Sequence, residues 1–139
     1  MSIACGQICY GVKFGCEKFP WDKEEFNYDI SSWWVRSVLK YSPPEGLAPY
    51  DIERQERIIY NTRPLPVSIV NYAGLDVGLY IIAIPSTVRK CTIGEPVRFN
   101  LEELTYTAEE EYNLIRFIEE HITKDCPSPQ WWSSCYFVS

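Results

Sequence analysis

Residues 67–85 read VSIVNYAGLDVGLYIIAIP, and this stretch carries the clearest structural pattern of the chain. Two runs rich in β-branched and aromatic residues, 67–72 and 77–84, are joined by the segment AGLD. Such runs favour strands, and a short connection between them favours an antiparallel hairpin. Residues 79–84 are apolar on both faces, which is typical of a central strand covered on both sides. The stretch therefore predicts a sheet with helices packed against it.

Two further strands are predicted near the ends of the sequence. The stretch GQICYGVKFG alternates in part between apolar and polar residues, which predicts a strand over 7–14. The chain closes with PQWWSSCYFVS, where a strand would alternate Trp131, Ser133 and Cys135 with Trp132 and Ser134 on opposite faces. Neither face is polar, so two interpretations stay open. The strand is covered on both sides within the sheet, or one aromatic face serves dimerisation or ligand binding.

Three segments have the pattern of amphipathic helices. The first begins after the N-cap candidate Asp29 and ends at SPPEG, because its two prolines cannot continue a helix. Its apolar stripe is formed by Ile30, Trp34, Val38 and Tyr41. The second helix is predicted over 51–60, with Asp51 as its cap. The third follows a capping box formed by Thr107 and Glu110.

These elements occur in the order β-α-α-β-β-α-β, and a short additional strand is compatible with 87–92. We therefore predict one α+β domain over residues 1–139, built on an antiparallel sheet of about four strands. The length of 139 residues suits one domain with one core. Apolar residues make up 46% of the chain and charged residues 23%, which excludes a disordered protein.

The net charge of −6 bears on the class of partner. It repels phosphate backbones, so direct nucleic-acid binding is not expected, and it leaves open a basic protein partner or a local basic pocket for a small anion. The opening residues MSIACGQICYG lack the basic and apolar regions of a secretory signal. The longest apolar run, 79–84, is too short to cross a membrane. We expect a cytoplasmic protein whose six cysteines are free thiols.

The sequence contains no trustworthy catalytic or cofactor motif. The cysteines form no CxxC pair and the chain has one histidine, so neither a metal site nor a cofactor is predicted. A thiol-dependent enzyme that uses His121 with Cys126 or Cys135 is a distant alternative. Because nothing in the sequence fixes the geometry of these groups, we predict a protein that is not an enzyme.

Acidic and aromatic residues predict a surface for a protein partner. The charges between Glu102 and Glu120 are negative except for Arg116, and such a helix edge can imitate nucleic-acid phosphates in a basic groove. Tryptophan side chains would anchor the contact. The candidate residues are Glu109, Glu110, Glu111, Glu119, Trp131 and Trp132. A solvated acidic face is the plainer interpretation.

A second set of residues predicts a different kind of site. Arginine and lysine side chains can hold phosphates while aromatic rings stack on a base, and the segment YAGLDVG would form the rim of such a pocket. The candidate residues are Arg54, Arg57, Tyr72, Asp76, Arg89 and Lys90. Under this alternative, the protein is a sponge that sequesters a nucleotide-type signal.

The stretches RPLPVSIVNY and GLYIIAIPSTV, together with the tail PQWWSSCYF, resemble small accessory proteins of unknown function from tailed bacteriophages and prophages. The resemblance covers roughly the second half of the chain, the predicted strand over 7–14 and the predicted helix that contains Trp33 and Trp34. It implies a phage protein that antagonises host defence in the host cytoplasm, and it carries over no functional residue. We therefore expect an inhibitor that binds and blocks a host defence protein, with a homodimer as an open possibility.

Overall fold

A computed structural model describes residues 3–15, 19–26, 29–72, 79–92, 94–98 and 100–138. The strands are β1 (Ile3–Phe14), β2 (Ser68–Asn71), β3 (Tyr80–Ala83), β4 (Arg89–Thr92) and β5 (Gln130–Val138). The helices are α1 (Ile30–Trp33), which continues as a π-helix over Trp34–Val38, α2 (Pro49–Thr62) and α3 (Ala108–His121). Short 3₁₀ turns cover Glu24–Phe26, Pro85–Thr87 and Leu101–Glu103. The architecture confirms the predicted α+β class and the antiparallel sheet.

The chain divides into two compact units, which are described separately. The sheet unit comprises Met1–Glu17 and Pro66–Ser139, and the helical unit comprises Lys18–Leu65. The sheet unit holds strands β1 to β5 and helix α3, whereas α1 and α2 belong to the helical unit. The grouping of residues 1–139 into one domain stays a prediction.

Strand β1 is the centre of the sheet. On one edge it pairs with β5 from Ile3↔Val138 to Gly11↔Gln130. On the opposite edge it pairs with β4 over residues 5–8 and with β3 over residues 11–14. The predicted hairpin is confirmed, since β2 and β3 pair in antiparallel register, while its turn over 73–78 lies outside the described residues. The predicted strand over 7–14 is also confirmed and begins four residues earlier.

The 3₁₀ turn Pro85–Thr87 connects β3 to β4 and leaves a gap between their two ladders along the same edge of β1. The hydroxyl of Thr87 fills this gap, because it accepts a hydrogen bond from the Tyr10 N–H at 3.0 Å and donates one to the Ile84 carbonyl at 2.6 Å. Thr87 is fully buried. The hydroxyl therefore supplies an acceptor for the Tyr10 N–H, and it shares the Ile84 carbonyl with the Thr87 N–H, which donates to it at 3.0 Å.

The two faces of the sheet have different apolar neighbours. One face forms a cluster of Cys9, Val70, Ile81 and Ala83, with Tyr72, Val88 and Trp132 packed against it. Tyr10, next to Cys9 in β1, points to the opposite face because side chains alternate along a strand. Helix α3 begins with the predicted capping box and buries Leu114, Phe117 and Ile118. Its buried stripe therefore agrees with the predicted period of an amphipathic helix.

In the helical unit, the first helix departs from the predicted stripe. Asp29 caps α1 as expected, but Leu39 N–H bonds to the Trp34 carbonyl in an i→i+5 pattern. This wider turn changes the helical period after Trp34. Trp33 and Val35 are buried, while Trp34 of the predicted stripe is half-buried. The Trp34 Nε1–H donates to the Arg63 carbonyl at 2.7 Å.

The second helix begins earlier than predicted. Pro49 occupies the first helical turn after the N-cap Ala48, so the prediction that Asp51 is the cap is wrong. A proline suits this position because its missing N–H would have no partner there. Asp51 lies in the first turn. Glu56 of α2 is buried and pairs with Arg36 at 2.6 Å.

Candidate functional site

Aromatic and acidic side chains from β1, β5 and the start of α3 meet in the sheet unit. We call Tyr10, Tyr106, Glu111 and Trp131 the Trp131 cluster. The rings of Tyr10 and Tyr106 stack with centroids 3.9 Å apart, and the Trp131 ring lies 5.3 Å from Tyr10 and 6.2 Å from Tyr106. The Tyr10 hydroxyl donates to Glu111 Oε2 at 2.6 Å. The cluster therefore joins a stacked aromatic group to a carboxylate.

Strand register and helix capping place these four side chains. Tyr10 and Trp131 are direct cross-strand partners in the β1–β5 ladder. Tyr106 immediately precedes Thr107, the N-cap of α3, and Glu111 lies one turn into the helix, where its N–H bonds to the Thr107 carbonyl. The start of α3 thus brings one aromatic ring and one carboxylate to the same end of the strand pair.

Burial differs across the Trp131 cluster. Tyr10 is buried, Tyr106 and Glu111 are half-buried, and Trp131 is 40% exposed. Burial and the hydrogen bond to Glu111 raise the pKa of Tyr10 well above its usual value, so its hydroxyl remains a donor. The cluster therefore exposes part of the Trp131 indole to solvent, while the stacked rings of Tyr10 and Tyr106 pack against its other side.

The exposure of β5 bears on the open interpretations of the tail. Trp131, Ser133 and Cys135 are exposed, so the expectation that the strand is covered on both sides is wrong for this stretch. Trp132 belongs to the other face, where it is half-buried and its Nε1–H donates to the Gly11 carbonyl at 2.9 Å. Trp131 and Trp132 therefore do not form one surface.

The four predicted glutamates have different environments along α3. Glu109 and Glu119 are exposed. The carboxylate of Glu110 accepts from Ser86 Oγ at 2.6 Å and from the Thr107 N–H at 3.0 Å, and these bonds lower its pKa. Glu111 belongs to the Trp131 cluster. The acidic helix thus has two freely exposed carboxylates and two that also hold structure.

The residues of the alternative ligand site belong to different units of the chain. Arg54 and Arg57 belong to the helical unit, while Tyr72, Arg89 and Lys90 belong to the sheet unit. Arg57 lines a pocket of about 140 Å³ that also contains three carboxylates. The Arg89 guanidinium donates to the backbone carbonyls of Ser86 and Val88. Asp76 lies outside the described residues.

Lys90 lines a larger pocket of about 440 Å³ in the sheet unit. The other lining residues are Cys5, Cys91, Thr92, Glu95, Pro96 and Val97. Lys90 is the one cation among these residues, and Glu95 offsets its charge. The pocket has a suitable size for a small ligand but little positive charge for phosphates. A nucleotide sponge therefore stays a prediction.

The thiol alternative receives no support from the geometry of Cys126. Its Sγ–H donates to the Pro127 carbonyl at 3.3 Å, and burial raises its pKa, which disfavours the thiolate. Burial likewise raises the pKa of the Cys9 thiol to about 11. In the part of the chain that the structure describes, no group of three or more Cys, His, Asp or Glu residues could hold a metal ion.

Comparisons with known proteins give no indication of function. No protein-family model, no curated protein and no solved structure matches the chain. Among the described residues, no helix is both long and apolar enough to cross a membrane. Sequence reasoning missed Tyr10 and Tyr106 as site residues, although the position of Tyr106 just before the capping box was a usable signal.

Proposed function

We propose that the protein is a non-enzymatic inhibitor that binds and blocks a protein partner through the Trp131 cluster and the exposed carboxylates of α3. The observation that carries this proposal is the partly exposed Trp131 indole, held by stacked Tyr10 and Tyr106 beside Glu111. Tryptophan and tyrosine dominate the energetics of protein interfaces, and rings held in place lose little entropy on binding.

The charge supports a basic partner. The protein has a net charge of −6, and Glu109 and Glu119 add exposed negative charge to the helix of the cluster. A partner with a basic groove and a pocket for an indole would complement both features. Nucleic-acid-binding proteins have such grooves, and the phage resemblance extends the proposal to a host defence protein of this kind.

The experiment compares paired baits in a bacterial lysate. Wild-type protein, Trp131→Ala and Glu111→Gln are immobilised in equal amounts, and retained proteins are quantified by mass spectrometry. Glu111→Gln removes the charge while keeping an oxygen that accepts from Tyr10. We expect at least one basic protein to be retained by the wild type and reduced more than about tenfold by Trp131→Ala, which corresponds to an interface residue worth above 1.4 kcal/mol.

The matched controls lie in the helical unit. Tyr50→Ala removes an aromatic ring that is 74% exposed, and Glu45→Gln removes an exposed carboxylate. Both controls should retain the partner as the wild type does, and the thermal stability of every bait is measured first. If no protein distinguishes the cluster variants from the controls, the proposed surface is not a binding site.

A further inference from the structure

Among the residues that the structure describes, β5 has a paired strand on one edge only. Each of its nine residues pairs with β1 on one side. On the other side, no backbone hydrogen bond joins β5 to any residue that the structure describes. Alternate N–H and C=O groups of an edge strand point outward, so this edge can accept a further strand.

The free edge lacks the features that normally prevent strand addition. Edge strands are usually short, or they carry charged residues or proline. Strand β4 has four residues and includes Arg89 and Lys90, and β2 also has only four residues. Strand β5 has nine residues, QWWSSCYFV, with neither a charge nor a proline. Of these three outer strands, β5 is the one suited to pairing with another chain.

We propose that β5 pairs with β5 of a second copy of this chain, which joins two sheets into one across a two-fold axis. Two identical strands related by such an axis are necessarily antiparallel. Because β5 is uncharged, a copy meets no like charge across the new ladder, even though the whole chain carries −6. A basic partner strand would gain no charge complementarity at this edge.

The strand itself fixes the expected register. Pairing of all nine residues puts the two-fold axis at Ser134, the midpoint of Gln130–Val138. Ser133 of one copy then lies directly opposite Cys135 of the other. Both residues are exposed on the same face of the sheet, so the pairing requires no change in the β1–β5 ladder.

This register gives a specific cross-linking test. Directly opposite residues in an antiparallel pair have Cα atoms about 4.5–5.5 Å apart, which is within reach of a disulfide bond. The variant Ser133→Cys, treated with glutathione disulfide, should therefore yield a covalent dimer on a non-reducing gel. The double variant Ser133→Cys, Cys135→Ser should not. Ser128→Cys, an exposed control outside β5, should also remain monomeric on the gel.

Sedimentation velocity provides an independent measurement without oxidant. The wild type should sediment with twice the monomer mass of 16.2 kDa as its concentration is raised. Cys135→Lys places a charge in the new ladder and should shift the protein to monomer, whereas Asn61→Lys adds the same charge to an exposed position of α2 and should not. A wild type that stays monomeric, or a cross-link that survives loss of Cys135, overturns the proposal.

Discussion

At the scale of single residues, Thr87 and Gly11 keep the central strands in register. Thr87 lies in the turn between β3 and β4, and its hydroxyl bonds to the Tyr10 N–H of β1 and to the Ile84 carbonyl just after β3. At Gly11, a Cβ atom would lie 2.2 Å from the Ile82 carbonyl oxygen and 2.7 Å from Ala83 Cα. Only glycine fits between these backbone atoms, because no side-chain movement could relieve the clash. The pairing of β1 with its neighbours therefore depends on the Thr87 hydroxyl and on the absence of a side chain at Gly11.

The substitution Thr87→Val tests the role of the hydroxyl. Valine has nearly the same shape, but it leaves the buried Tyr10 N–H without an acceptor. We expect the free energy of unfolding, measured by urea denaturation, to fall by about 1–3 kcal/mol. Thr87→Ser keeps the hydroxyl and should lose less. Equal losses in the two variants would mean that packing of the methyl group, and not the hydrogen bonds, stabilises the turn.

At the scale of elements, the start of α3 combines structure with the proposed site. Glu110 closes the capping box with Thr107 and also accepts from Ser86, which belongs to the turn between β3 and β4. This pair of contacts fixes the first turn of the helix against the sheet. Tyr106 and Glu111 flank the same turn, so the geometry of the Trp131 cluster depends on the cap.

The pH dependence of stability should reveal the contribution of Glu110. Its pKa in the folded protein is lowered from 4.5 by the bonds from Ser86 and Thr107. A lowered folded pKa means that its stabilisation is complete above the unfolded value and is lost as the pH falls through the folded value. Wild type should therefore be more stable than Glu110→Gln near neutral pH, and the difference should shrink in acid.

Urea unfolding of both proteins at neutral pH and in acid measures this difference. Glu109→Gln is the matched control, because Glu109 is the exposed carboxylate one residue earlier in the same helical turn. The difference in unfolding free energy between Glu109→Gln and wild type should change less with pH than the difference between Glu110→Gln and wild type. A pH-independent difference for Glu110→Gln would contradict the assigned role of its carboxylate.

At the scale of the whole molecule, charge and shape would act at different stages of the proposed partner binding. The net charge of −6 would attract a basic partner over distances beyond direct contact. The Trp131 indole would act only after contact, since its contribution would come from burial. Long-range attraction changes the association rate, whereas a buried anchor changes the dissociation rate.

Salt should therefore separate these two contributions once the partner has been recovered with the paired baits. Raising the ionic strength shortens the screening length and should lower the association rate constant, with a much smaller effect on dissociation. Trp131→Ala should instead raise the dissociation rate constant, by about tenfold or more. Stopped-flow fluorescence at several salt concentrations measures both constants. A salt-independent association rate would exclude electrostatic steering by the acidic helix.

The sequence by itself determined the elements whose signals are local. The hairpin strands follow from the β-branched runs in 67–85, and α3 follows from the capping box of Thr107 and Glu110. Both signals depend on residues within a few positions of each other, so they can be recognised without knowing the fold. The α+β class and the order of the main elements other than β4 follow from the same local patterns.

Only the tertiary structure decided what depends on contacts between distant segments. The pairing of β1 with β5 put Tyr10 opposite Trp131, at a separation in sequence that no local pattern encodes. Strand alternation then divided Trp131 and Trp132 between two faces, and packing in the helical unit buried Trp33 and left Trp34 half-buried. The Trp131 cluster and the free edge of β5 are both consequences of this long-range pairing, because strand order is set by burial over the whole sheet.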